Sequence, residues 1–120
     1  MTDYIVLIIG DDARWWDKMT EQERADGMAA HERFSTSLVE RGHVITGGAE
    51  LHRTSEARSI RIGADTVTEG PFAESTEQVG GFYQVSSDDL DDLLECCKIL
   101  SETGDGIEVR RTVVHAEQPA

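Results

Sequence analysis

The chain has 120 residues and 13.3 kDa, with 38% hydrophobic and 29% charged residues, which is the length and balance of one globular domain rather than a disordered segment. Asp and Glu number 24 against 11 Lys and Arg, so a formal charge of -13 and a pI near 4.5 argue against nucleic acid or an anionic membrane as a partner. Cys96 and Cys97 are adjacent, a spacing that suits neither a redox pair nor a zinc site, and no metal or other cofactor is expected.

Tyr4–Ile9 is a β-branched run closed by Gly10, the pattern of a central strand buried on both faces. It is too short to span a bilayer and has no basic leader before it, so a cytoplasmic protein is expected. Trp15 and Trp16 follow in a loop, where a ring either lines a pocket mouth and stacks on a flat substrate or packs over the sheet edge. Thr20 and Glu23 have the spacing that satisfies free N–H groups at a helix start, and Gly42 suits a helix end, which predicts a helix from about Glu21 to Arg41. At 100° per residue Ala25, Met28, Phe34, Ser35, Leu38 and Val39 share one side of it, with His31 in the middle of the stripe.

His43–Thr46 and Ser59–Ile62 read as strands, the second alternating Ile60 and Ile62 with Ser59 and Arg61. Thr66–Thr68 extends or pairs with that edge, Gly70-Pro71 turns the chain, and Gly80–Val85 is the next strand. Ser86 or Ser87 caps a second helix, whose Leu90, Leu93, Leu94, Cys97, Ile99 and Leu100 keep a helical period behind an acidic first turn and which ends before Gly104. Ile107–Val114 alternates as the last strand, and His115 to Ala120 reads as a frayed tail. The order β-α-β-β-(β)-α-β predicts an α+β, ferredoxin-like sandwich in one domain spanning residues 1–120, with both helices on one face of an antiparallel sheet. The other face is left apolar, and a homodimer packed sheet to sheet covers it.

The segment Thr68-Glu-Gly-Pro-Phe-Ala-Glu-Ser-Thr-Glu-Gln-Val-Gly-Gly-Phe-Tyr83 resembles the D-G-P-F-A-E-T-K-E-x-x-G-G-[FY] signature of the YCII-related, DGPF-type family, and Met28–Phe34, Ser87–Leu90 and Ile107–Arg110 are similar to the family in order. The resemblance implies a ferredoxin-like fold that dimerises as an α/β barrel. It also implies an active-site pair of a histidine and an acidic residue between sheet and helix, at positions matching His31 and Glu69. Glu69 stands where the family usually has aspartate, Ser75 where it has threonine and Thr76 where it has lysine.

A histidine on an apolar helical face must satisfy its ring nitrogens, by a carbonyl if its role is architectural or by a carboxylate if it is to shuttle protons near neutral pH. His31 and Glu69 are thus the candidate catalytic pair. Trp15, Arg58, Arg61, Phe72 and Tyr83 are the candidate substrate-binding residues, an arginine in the cavity being suited to a carboxylate ligand. His43, His52 and His115 have no metal-ligand spacing, and neither Gly47-Gly48 nor Gly80-Gly81 opens a helix as a phosphate loop would. Two functions follow from the resemblance. One is a small cofactor-independent lyase, isomerase or dehalogenase-like enzyme acting on a small acidic or ring-derived compound. The other is a non-catalytic ligand-binding or regulatory dimer of the kind found beside sigma-factor systems.

Overall fold

The computed structural model describes residues 1–115, and the end of the expected tail, residues 116–120, lies outside the described residues. Strand β1 (Thr2–Asp11) is flanked on both sides in a four-stranded antiparallel sheet of order β2-β5-β1-β6, formed with β2 (Val44–Glu50), β5 (Glu77–Ser87) and β6 (Gly106–Arg111). Helices α1 (Glu21–Glu40) and α2 (Leu90–Ser101) link these strands as crossovers. This is the ferredoxin-like arrangement expected of the element order.

The core lies between the helices and one sheet face: Phe34 and Leu38 of α1 and Leu93, Cys96, Cys97 and Leu100 of α2 pack on Tyr4, Val6, Ile8 and Val85. Each buried large side chain contributes roughly 1.5–3 kcal/mol relative to exposure. The alternate residues of β1, Ile5, Leu7 and Ile9, are only half-buried, so the expected burial of this strand on both faces is not met within one chain. No helix among the described residues is long and apolar enough to cross a membrane.

Local chemistry sets the boundaries. Thr20 accepts from the Glu23 N–H while the Glu23 side chain accepts from the Thr20 N–H, and Gly42 takes φ 86° after the last turn of α1. The buried stripe of α1 is Gly27, Ala30, Phe34 and Leu38, whereas Ala25, Met28 and Val39 are exposed and His31 sits at its margin. Small residues set this rotation: Gly27 lets the Trp15 ring approach its backbone. The second helix is capped by Asp89, whose carboxylate accepts from the Asp92 N–H, rather than by Ser86 or Ser87. The chain after β1 is a turn of π-helix, Arg14–Lys18, rather than a loop.

Ser59–Ile62 does not form the expected strand. Only Arg58–Ser59 (β3) is extended, paired with Thr68–Glu69 (β4) in a separate two-stranded arm, and Ile60 and Ile62 are 60% and 101% exposed. Alternation needs a sheet face packed on a core to act on, and among the described residues this segment meets only the short strand β4. The chain measures 53 × 43 × 18 Å with a radius of gyration of 16.4 Å, against about 14 Å for a compact domain of this length.

Candidate functional site

A cavity of about 330 Å³ opens where the C-terminal end of β1 meets the middle of α1, the end of β2 and the first half of β5. Backbone irregularity makes the room. Gly80 is an extra residue in β5, bulged where Ile8 pairs with Gly81 and Ile9 with Val79, and Gly80 and Gly81 present no side chains to the space. Gly48 holds φ 151° in the facing strand, where a Cβ would collide with the Phe82 carbonyl. Trp15, Trp16 and Met28 form apolar wall.

His31 reaches the cavity from α1, and its Nδ1 lies 2.8 Å from the Tyr83 hydroxyl on β5. Phe34, one turn along α1, meets the Tyr83 ring edge-on with centroids 5.0 Å apart and so fixes the phenol from below. His31 Nε2 makes no hydrogen bond among the described residues. Burial pushes the His31 imidazole below its ordinary 6.5, partly offset by the Asp105 and Glu50 carboxylates. Burial also pushes the Tyr83 phenol above 10, so near neutral pH the pair is an un-ionised ring and an intact hydroxyl.

Asp105, in the turn between α2 and β6, is a half-buried carboxylate on the same cavity. Burial raises its pKa above 3.8, with the Arg14 guanidinium and His31 pulling the other way. It lies directly over the backbone of Gly10, where any Cβ would strike its carboxylate. Arg14 approaches from behind, donating to the Thr103 carbonyl at 3.2 Å. The Trp15 indole donates to Glu50 at 3.2 Å and carries the Arg24 guanidinium 4.6 Å from its ring centre, while Trp16 stacks on His52 at 4.9 Å.

Of the residues singled out in the sequence, the structure brings His31, Trp15 and Tyr83 together at this cavity. It does not bring Glu69 there: the side chain is exposed on β4 opposite Arg58, so no His31–Glu69 hydrogen bond forms within the chain and Tyr83 takes the place expected of the carboxylate. The Gly70 N–H donates to the Ala57 carbonyl, which ties the Glu69 segment into the arm. Arg58 donates to the Ala57 carbonyl at 2.8 Å, Arg61 lies 4.2 Å over the Phe72 ring, and Phe72 is 55% exposed; none of the three lines the cavity. Asp105 was not visible in the sequence, because its only local signal is a Gly104-Asp105-Gly106 turn.

A second polar cluster lies under α2. His43 bridges Ser87 Oγ at 2.8 Å through Nδ1 and Asp92 Oδ2 at 2.7 Å through Nε2, and Cys96 Sγ lies within 4.8 Å of the His43 and Asp92 ligand atoms. These are the residue types of a nucleophilic triad, but Ser87 is 1% exposed, and its hydroxyl accepts from the Asp89 N–H at the helix start. Asp92 also holds the Arg41 guanidinium, so a metal ion there would have to displace two existing partners. The cluster ties the residue before β2 and the end of β5 to α2.

A family model described as YCII-related domain matches residues 4–116. An uncharacterized protein from Rhizobium meliloti (strain 1021) is 31% identical over 102 residues, covering 82% of this chain and 79% of the relative.

Proposed function

The chain belongs to the YCII-related domain family, and from that premise we propose that its cavity transfers protons on a small ligand, with His31 as the group that takes and returns the proton. The observation that carries this is the His31–Tyr83 contact of 2.8 Å in the wall of a cavity of about 330 Å³. With Nδ1 engaged, Nε2 is the nitrogen left for a ligand. The direction of the one hydrogen bond decides its role. When Tyr83 donates to Nδ1, the proton of the neutral ring sits on Nε2, which acts as an acid; when Nδ1–H donates to the Tyr83 oxygen, Nε2 offers a lone pair and acts as a base.

In the base direction, Nε2 takes a proton from a carbon or oxygen acid of the ligand. The resulting imidazolium keeps its Nδ1–H on Tyr83, and Asp105 and Glu50 stabilise its charge. Return of the proton to another atom of the ligand completes an isomerisation; loss of a leaving group from the anion completes an elimination. A histidine already lowered by burial is a neutral base at pH 7, as this chemistry needs.

The test is hydrogen–deuterium exchange at activated C–H positions. Wild-type protein and His31→Ala are incubated in D2O with a panel of small cyclic ketones and lactones, and exchange is followed by NMR. General acid–base catalysis predicts a loss of about 10²–10⁴-fold in His31→Ala with the fold retained. Equal exchange by the two proteins refutes the assignment, and a ligand that binds but is recovered without exchange makes this a binding or regulatory module instead.

The same proposal includes a second copy of the chain and a cytoplasmic setting. Half-buried Ile5, Leu7, Ile9 and Phe82 on the uncovered sheet face support a sheet-to-sheet dimer, as does an arm that carries Glu69, Arg58, Arg61 and Phe72 away from its own chain's core. Two buried, unpaired thiols, Cys96 and Cys97, suit a reducing compartment.

A further inference from the structure

Four carboxylates line the cavity, Asp11, Asp12, Glu50 and Asp105, and no lysine or arginine does. Three of the four are already engaged. Asp11 accepts from the Arg14 N–H at 3.3 Å, Asp12 from the N–H and hydroxyl of Thr54 at 3.1 and 3.0 Å, and Glu50 from the Trp15 indole at 3.2 Å. Asp105 accepts no hydrogen bond from any described residue, although it is half-buried and held against the β1 backbone at Gly10. Among the four, Asp105 is the carboxylate whose oxygens are left for a donor from outside the chain, water or a ligand N–H.

The arginines that were to anchor an acidic ligand, Arg58 and Arg61, are on the arm and away from this space. An anionic ligand would therefore meet four like charges, with Arg14 near Asp105 but outside the lining, whereas a cation would meet a carboxylate that accepts no hydrogen bond among the described residues, beside apolar and aromatic wall. We propose that the site selects a small flat ligand bearing a protonated amine or amidine, whose N–H groups bond Asp105 while its apolar body lies against Trp15 and Met28. This rests on the cavity being the ligand site, as argued above, and fixes the charge class of its occupant.

Three probes of one shape separate the two statements: benzylamine, benzyl alcohol and benzoate, titrated into ¹⁵N-labelled protein with the His31 imidazole signals as reporter. Benzylamine is expected to bind roughly tenfold or more tightly than benzoate, the span of one charge-assisted hydrogen bond, with the alcohol between them. Asp105→Asn, which keeps the shape, should lower benzylamine affinity roughly tenfold and leave benzyl alcohol unchanged. On the unaltered protein, raising NaCl to 0.5 M should weaken the amine and not the alcohol, so the result does not depend on the variant folding. Benzoate binding as tightly as benzylamine, with His31 perturbed, overturns the charge preference and leaves the cavity as a ligand site. His31 signals unmoved by all three probes overturn the ligand site and the preference together.

Discussion

Replacing Phe34 by alanine tests the link between the core and the site. Phe34 is fully buried between α1 and the sheet, and its ring supports the Tyr83 phenol edge-on. Truncating a buried phenylalanine costs about 3–5 kcal/mol, part from lost transfer energy and part from the void left behind. For a chain of 120 residues the unfolding entropy near 60 °C is about 0.25 kcal/mol/K, so the melting temperature should fall by roughly 12–20 °C. Phe34→Leu, which refills most of the volume, should fall between wild type and Phe34→Ala while still moving the Tyr83 and His31 resonances, because the edge-on ring is gone. Calorimetry and guanidinium unfolding supply the magnitudes, and NMR the coupling to the site. A drop of less than about 4 °C for Phe34→Ala, equivalent to roughly 1 kcal/mol, would refute the described packing of α1 on the sheet.

Three titrations should shape the stability of the protein against pH. His31 binds its proton less readily folded than unfolded, so stability falls as pH drops through 6.5, and Asp92, lowered chiefly by its bond to His43, adds a second loss below its ordinary 3.8. Asp105 acts oppositely: its raised pKa makes the folded state the better proton acceptor, so acidification through that range stabilises. Denaturant midpoints at several pH values should lose the first limb in His31→Gln and the second in Asp92→Asn; unchanged curves would contradict these assignments. The Cys97 thiol is pushed up to about 12 by burial and Cys96 is 1% exposed, so neither should react with a thiol reagent at pH 8 until the protein unfolds. Rapid labelling of the native protein would show α2 to be open. Light scattering should give about twice 13.3 kDa for the wild type and a single-chain mass for Leu7→Asp on the uncovered face, and a wild-type monomer would remove the second copy from the proposal.

Where local chemistry decides, the residues announced the fold. The Thr20–Glu23 reciprocal cap, Gly42 after α1, the Tyr4–Ile9 run and the acidic start of α2 each depend on neighbours a few positions away. His31 and Tyr83 were recognisable as candidates, but their contact was not, since it joins a helix to a bulged strand across the core. Gly27 and Ala30 carry almost no hydrophobic weight in a wheel, yet their size rotates α1 and moves His31 to the edge of its buried face. Ser59–Ile62 alternates as strands do, but a strand is completed by its neighbour, and none but β4 reaches it. Asp105 became legible only with Gly10 beneath it, two residues whose relation exists in the folded sheet alone.

The order of the sheet has a consequence for how the protein is made. The first strand to leave a ribosome is β1, and its neighbours are β5 and β6, the last two strands of the sheet to be synthesised. Tyr4 pairs with Val85 and with Arg111, so the apolar run from Tyr4 to Ile9 has no backbone partner until most of the chain exists. Such long-range pairing closes large loops before it gains contacts, which slows folding and lengthens the time a sticky strand stands open. Helix α1, self-capped by Thr20 and Glu23, is available early to shield that strand. Substitutions that weaken the cap should therefore show first as lower yield of soluble protein during synthesis, before any change in the finished fold.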